Sequence, residues 1–450
     1  MAQQILFTQD IAATLDEVLS GYVYDRLFVL TDENTRRRCL PLLSASKALA
    51  SAGYINIQPD DTHKTLDSLA SVWQELSDRR ATRHSMMVNL GGGMVTDLGG
   101  FAAATFKRGI RYINIPTTLL GAVDAAVGGK TGINFNGLKN EIGAFAPAEA
   151  VLVAVSFFRT LSREHLLSGF AEMLKHGLIS TTAIYDRLFT LDLSRPDSAE
   201  MLSCLEESIG VKQRVVEQDP HEAGIRKSLN FGHTVGHAFE SFSHHRHHPV
   251  QHGYAVAWGL VCELILSHRR LGFPLDTVRR FAAFVRENYG VFPITCSDYD
   301  YLYERMTHDK KNDADTINFT LLSDVGRVVI DQTATRQEIE IVLDLYRDMF
   351  GISRRNKVKK DVKCKKTDNF FAGKNKRLTF AHENQSGRSS VRLEYTSGGR
   401  VVAGSNPVTP TRYHTIILSI DSCVVFAYFA GTKSVHLIFN SSFYTLQIEV

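Results

Sequence analysis

Three short apolar runs near the start of the chain most constrain its fold: Arg26-Leu27-Phe28-Val29-Leu30-Thr31, Tyr54-Ile55-Asn56-Ile57 and Met86-Met87-Val88-Asn89-Leu90. Each has the length of a strand. The first is followed by a polar turn (Asp32-Glu33-Asn34) and a basic, Leu-rich helical segment, the second by Gln58-Pro59-Asp60-Asp61 and a helical pattern through Leu76. Strands that alternate with helices pair in parallel, because each helix carries the chain back across the sheet. A parallel α/β sheet is therefore expected, and such sheets bind ligands beyond the carboxyl ends of their strands.

The segment after the third run fits that expectation. Gly91-Gly92-Gly93-Met94-Val95-Thr96-Asp97-Leu98-Gly99-Gly100 lets backbone approach a phosphate closely, with a helix N-terminus nearby. It is not the dinucleotide fingerprint G-x-G-x-x-G, because Thr96 stands where glycine or alanine is needed. A tight structural turn explains it equally well. Ile113-Asn114-Ile115-Pro116-Thr117-Thr118 is a further strand entering a hydroxyl-rich turn. Gly128-Gly129-Lys130-Thr131 invites a P-loop reading, but Asp124 occupies the position of the first glycine, which excludes a nucleotide triphosphatase. Lysines and hydroxyls at such turns, with Lys139-Asn140 beyond, suit a polyanionic ligand.

From about residue 160 the pattern turns helical. Glu172 and Lys175 share a face, for which a surface salt bridge is the ordinary explanation. Lys212 to Arg226 is a charged run of the kind that usually faces solvent. Leu229-Asn230-Phe231-Gly232-His233-Thr234-Val235-Gly236-His237-Ala238-Phe239-Glu240 places two histidines a turn apart, either as a metal clip or as a core pair. Phe242–His248 reads as a solvated His-rich loop, and Pro249–Leu260 as a turn entering a buried helix with His252 near its start. Thr307–Asn312 reads as a polar loop before the strand-like Ile317–Leu322.

Charge divides the chain. Residues 351–450 hold 16 Lys+Arg against 6 Asp+Glu, whereas the whole chain holds 51 against 48, so residues 1–350 are net acidic. The six cysteines contain no C-x-x-C, and Met1-Ala2-Gln3-Gln4-Ile5 has neither a basic nor an apolar leader region. A cytoplasmic setting is expected, without membrane or nucleic-acid partners.

Together Gly91–Gly100 with Arg108-Gly109, Pro116-Thr117-Thr118, Gly128–Gly132, Leu138-Lys139-Asn140, Ala171-Glu172 with Lys175, Leu229–Glu240 and His252-Gly253 make residues 1 to about 350 resemble the 3-dehydroquinate synthases of the sugar-phosphate cyclase superfamily. The resemblance implies a Rossmann-like NAD-binding domain (1–155) and a helical metal and substrate domain (156–352), with the active site between them. It implies metal ligands Glu172, His233 and His252 for zinc or cobalt, and a proton-handling His237 acting with Lys130, Lys175 and Asn230. Substrate contacts would come from Arg108, Asp124, Lys130, Lys139, Asn140, Lys175, Lys212, Arg226, Asn230 and one of Lys310 and Lys311. NAD contacts would come from Asp32, Asp61, Lys64, Gly92, Gly93, Asp97, Thr117 and Thr118. The implied reaction cyclises 3-deoxy-D-arabino-heptulosonate 7-phosphate with loss of phosphate, in a homodimer. Two positions depart from the common pattern: Tyr254 and Asp61 stand where many members carry Glu. Related cyclases, glycerol-dehydrogenase-type enzymes and a non-catalytic module on the same fold are the competing readings.

The resemblance stops near Ser353. The basic, then apolar remainder, 353–450, reads as a non-native extension of the reading frame without a packed fold. Val402-Ala403-Gly404-Ser405-Asn406-Pro407-Val408 resembles the translation of a transfer-RNA gene, whose T-arm GGTTCGAATCC reads Gly-Ser-Asn-Pro.

Overall fold

The computed structural model describes residues 3–136, 138–307 and 317–352, and beyond these only strand segments between 381 and 447. The chain divides into two compact units, Met1–Lys366 and Thr367–Val450.

In the first unit the order begins β1 (Gln4–Phe7), α1 (Ile11–Ser20), β2 (Leu27–Asp32), α2 (Glu33–Arg38), β3 (Gly53–Ile57), α3 (Leu66–Asp78), β4 (Met86–Gly91), α4 (Gly93–Thr105) and β5 (Arg111–Pro116). A hairpin comes next, β6 (Lys130–Phe135) and β7 (Leu138–Phe145), then β8 (Ala150–Val153). Helices α5 (Arg163–Leu178), α6 (Thr182–Leu188), α7 (Ala199–Gln218), α8 (His233–His245), α9 (His252–Leu271), α10 (Leu275–Tyr289) and α11 (Tyr299–Thr307) succeed it. The hairpin β9 (Ile317–Asp324) and β10 (Arg327–Ala334) and helix α12 (Arg336–Met349) close the unit.

The main sheet has six strands, all paired in parallel, in the order β1-β8-β5-β4-β2-β3. The anticipated runs form β2, β3, β4 and β5. Every residue of β2 and β4 is buried, as expected when helices cover both faces. After β3 the chain returns across β2 to lay down β4 on its other side, so the strand order reverses between β2 and β4. Asp32 ends the one and Gly91 the other, at the crevice where such sheets bind ligands. The expected turn after β2 is absent. Asp32 itself caps α2, its carboxylate accepting from Thr35 N at 2.9 Å.

The helical part is organised around α9, buried from Ala255 through Ser267. Helices α8 and α9 run antiparallel: Gly232 faces Leu260, Gly236 faces Ala255 and Val256, and Glu240 reaches His252. Phe242–His248 is not a solvated loop through its length. Helix α8 extends to His245, and Phe242 and Ser243 are buried, because the apolar stripe continues past His237.

In the second unit β11 (Ala381–His382) pairs with β12 (Val391–Arg392). Strands β13 (Thr415–Ile420), β14 (Cys423–Phe429), β15 (Ser434–Phe439) and β16 (Ser442–Gln447) form an antiparallel meander. Most of the 353–450 expectation lies outside the described residues.

Candidate active site

Two helix starts meet one buried carboxylate. Glu172 lies within α5 at 0% exposure. Helix α8 starts at His233 because Gly232, at φ +83°, turns the chain in the left-handed region; a Cβ there would also lie 2.5 Å from Leu260. Helix α9 starts at His252 and is pinned to α5 by Gly253 N donating to Ser168 Oγ at 3.1 Å. His233 Nε2 and His252 Nε2 consequently stand 3.3 and 3.5 Å from the same atom, Glu172 Oε1.

His237, one turn along α8, is half-buried, with its ring centroid 5.3 Å from that of His233 and 5.9 Å from that of His252. One ring nitrogen from each of these histidines lies within 4.8 Å of the others. Lys175 Nζ is ion-paired to Glu172 Oε2, yet neither carboxylate oxygen completes a hydrogen bond in the protein. Such a buried carboxylate is costly without a further partner. An oxygen and converging imidazole nitrogens are the donor set that a divalent cation takes, so these residues fit a metal.

Electrostatics keep the acid ionised. Burial opposes the Glu172 anion, but the Lys175 ammonium and then His233 outweigh it, holding the carboxyl well below its usual range. Burial pushes the His233 imidazole down to about 4. It also opposes charge on His252, but the Glu240 carboxylate overcomes this and raises the imidazole to about 10. The Glu172–Lys175 pair is therefore not the surface salt bridge that its spacing suggests.

A cationic rim adjoins this centre. Lys212 is buried and pairs with the Asp124 carboxylate, also donating to Asp124 O at 2.5 Å, so this part of the charged run faces inward. Arg226 is buried, donating to Pro220 O at 2.6 Å and Gly128 O at 3.2 Å. Lys130, at the start of β6, and Asn230 both contact Glu222, Asn230 Nδ2 at 2.7 Å and Lys130 by an ion pair. Lys139, on β7, reaches Glu240 at 2.7 Å and Asp61 at 3.4 Å.

The loops after β4 and β5 form one cradle. Thr117 N donates to Gly91 O at 2.9 Å, and Thr118 Oγ1 accepts from Gly121 N at 3.0 Å. A Cβ on Gly92 would lie 3.0 Å from Thr118 Cγ2, so bare backbone lines the cradle beside α4, whose N-cap Gly92 provides no side-chain cap. Open glycine backbone at a helix N-terminus and a strand-order reversal suits a pyrophosphate, and these residues fit NAD. Buried Lys64 donates to Asp97 Oδ2 and to Asn140 Oδ1, each at 2.5 Å, tying the loop after β3 to α4 and β7.

Arg108 is not brought to this cluster. It is exposed just beyond the C-terminal end of α4, whose 13 residues span about 20 Å from the glycine loop. Lys310 and Lys311 lie outside the described residues. Sequence reasoning missed three acids: Glu222, hidden in a charged run; Glu240, two turns after His233 on the same helix; and Glu263, which is wholly buried on α9. The helical spacing of Glu240 from His233 and His237 is the one usable signal among them.

Known proteins share this fold. Similar folds occur in 2-epi-5-epi-valiolone synthase from Streptomyces hygroscopicus subsp. jinggangensis 5008, solved with NAD+ and Zn2+ (TM-score 0.69, 23% identity, covering 77% of this chain and 97% of that one). They also occur in 2-deoxy-scyllo-inosose synthase solved with carbaglucose-6-phosphate, NAD+ and Co2+ (TM-score 0.65, 22% identity, covering 75% and 95%). The fold is thus shared with these two synthases, and more distantly with glycerol dehydrogenase from Schizosaccharomyces pombe (TM-score 0.53, 15% identity, covering 78% and 90%). Residues 54–168 match the 3-dehydroquinate synthase N-terminal family and residues 169–312 its C-terminal counterpart. A 3-dehydroquinate synthase from Parabacteroides distasonis is 51% identical over 350 residues, covering 78% of this chain and 99% of the relative. Another from Clostridium tetani is 33% identical over 315 residues, covering 70% and 83%. The chain belongs to the 3-dehydroquinate synthase family.

Proposed function

We propose that this chain converts 3-deoxy-D-arabino-heptulosonate 7-phosphate to 3-dehydroquinate and inorganic phosphate, as a phosphate-eliminating carbon–oxygen lyase using NAD and one divalent cation, zinc or cobalt. The convergence of His233 Nε2 and His252 Nε2 on Glu172 Oε1, at 3.3 and 3.5 Å, carries the reading. It is supported by family membership and by the cations around that point.

Glu172, His233 and His252 would hold the cation, which when bound supplies Lewis-acid polarisation of substrate oxygens. Asp32, Asp61, Lys64, Gly92, Gly93, Asp97, Thr117 and Thr118 would hold NAD, which supplies reversible hydride removal. Lys130, Lys139, Lys212 and Arg226 bind the phosphate and carboxylate, with Asp124, Asn140, Asn230 and Lys175 orienting the ring. One of Lys310 and Lys311 completes the substrate contacts. A ring nitrogen of His237 accepts and returns the proton of the reacting hydroxyl, with Lys130, Lys175 and Asn230 beside it. Once that hydroxyl is a ketone, the neighbouring C–H is acidic and phosphate leaves by elimination. Re-reduction, ring opening and an intramolecular aldol reaction close the carbocycle.

The working enzyme is residues 1–352, a NAD domain (1–155) and a helical domain (156–352), acting as a cytoplasmic homodimer. Among the described residues no helix is long and apolar enough to cross a membrane. Residues 353–450 are a reading-frame extension, a reading supported by the 350-residue match to the Parabacteroides distasonis relative. The test is incubation with the heptulosonate phosphate, catalytic NAD and zinc, monitoring phosphate. Release in excess of NAD is expected. No release, or a stoichiometric demand for NAD, overturns the reading.

A further inference from the structure

Glu240 stands between two groups that the proposed reaction uses separately. It is 5% exposed on α8, two turns after His233 and on the same face. Its oxygens divide their work. Oε2 lies 3.3 Å from His252 Nδ1, and Oε1 accepts from Lys139 Nζ at 2.7 Å. Donation from Nδ1 to Glu240 leaves Nε2 as the nitrogen that a cation would take in exchange for its proton, and in His252 that atom faces Glu172. Lys139 lies on the hairpin β6–β7, and its other carboxylate neighbour is Asp61 at 3.4 Å, ahead of α3. One carboxylate thus joins the helix pair that presents the imidazoles to the hairpin that presents a cation to solvent.

We propose that Glu240 is a positioning residue that couples the cation seat to the binding of the anionic substrate. It fixes the ring and tautomer of His252 and holds Lys139 in place beside the same cleft. Anion binding at Lys139 and cation binding at His252 then influence one another reciprocally, because both act on one carboxylate. The inference rests on the reading of Glu172, His233 and His252 as ligands.

The test compares wild type, Glu240→Ala and Glu240→Gln in two measurements: zinc affinity by competition with a chromophoric chelator, and kcat and KM from phosphate release. Glu240→Ala should weaken zinc binding about 10–100-fold. Glu240→Gln keeps an acceptor for His252 Nδ1 but loses the charge facing Lys139. Its zinc affinity should remain within a few-fold of wild type while KM for the heptulosonate phosphate shifts severalfold and kcat holds. That split does not arise from a merely structural role. Wild-type zinc affinity in Glu240→Ala, or parallel losses of affinity and melting temperature in both variants, overturns the inference alone. A wild type that takes up no zinc overturns the ligand reading, and this inference with it.

Discussion

Glu263 caps a helix to which it does not belong. From within α9 its buried carboxylate accepts Gly232 N at 2.6 Å and Val235 N at 3.2 Å, satisfying the start of α8 where the N-cap glycine offers no side chain. A negative charge there also meets the positive end of the helix dipole. Glu263→Leu should leave both amides buried without acceptors and destabilise the metal-free protein by about 2–4 kcal/mol. Urea unfolding monitored by circular dichroism checks this, and Glu263→Gln should recover part of the loss.

The two histidines of α8 should separate by experiment. His233→Ala should abolish stoichiometric zinc uptake. His237→Ala should retain zinc and lower kcat by about 10²–10⁴-fold, the span of general acid–base catalysis. Equal metal loss in both would instead make His237 a ligand, as its nitrogen, within 4.8 Å of the other two, permits.

Arg226 joins the segment before α8 to the glycine-rich turn before β6, through Pro220 O and Gly128 O. Lysine cannot reproduce two divergent N–H bonds. Arg226→Lys should raise KM about tenfold or more with a smaller change in kcat. An unchanged KM would remove Arg226 from the substrate's anion site.

His176 gives the fold a sensitivity to acid. Its Nδ1 contacts Ser208 Oγ at 2.9 Å, and burial, with Lys175 adding to it, pushes the imidazole down to about 3. An unfolded histidine protonates near 6.5, so between about 6.5 and 3 the unfolded chain binds the extra proton and stability falls with pH. His176→Gln should flatten this dependence by up to about 2 kcal/mol between pH 6.5 and 5. The comparison requires metal-free protein unfolded in urea at each pH.

Removing residues 354–450 should leave kcat, KM and melting temperature as they are. A large loss in any of them would give the extension a role. The coding DNA provides a second check: absence of a transfer-RNA sequence across this region excludes its reading as an extension through such a gene.

Features encoded locally are readable from the sequence. The apolar runs of β2 through β5, the glycine loop and the buried helix behind His252 each arise from periodicity or turn chemistry over a few residues. Strands β1 and β8 are only four residues long and lack that signal, although they complete one side of the sheet. The hairpin β6–β7 is obscured because the surrounding glycines read as loop. The spacing of Glu172 and Lys175 is the same on a surface or in a core, so only tertiary packing makes theirs a buried pair. Glu222 is illegible for the converse reason: its charged neighbours look solvated, yet the loop turns it toward Lys130 and Asn230. The proposed ligand set is legible only as a family pattern, since nothing local links Glu172 to α8.

The antiparallel packing of α8 on α9 also bears on how the enzyme comes into being. Glu240 and His252 are 12 residues apart, a short loop to close, and their helices are consecutive. Glu172 and the cradle after β4 and β5 depend on contacts between distant parts of the chain, which form more slowly. The helical hairpin can therefore assemble while the site remains open on its other sides. On refolding, the recovery of activity should trail the recovery of helix.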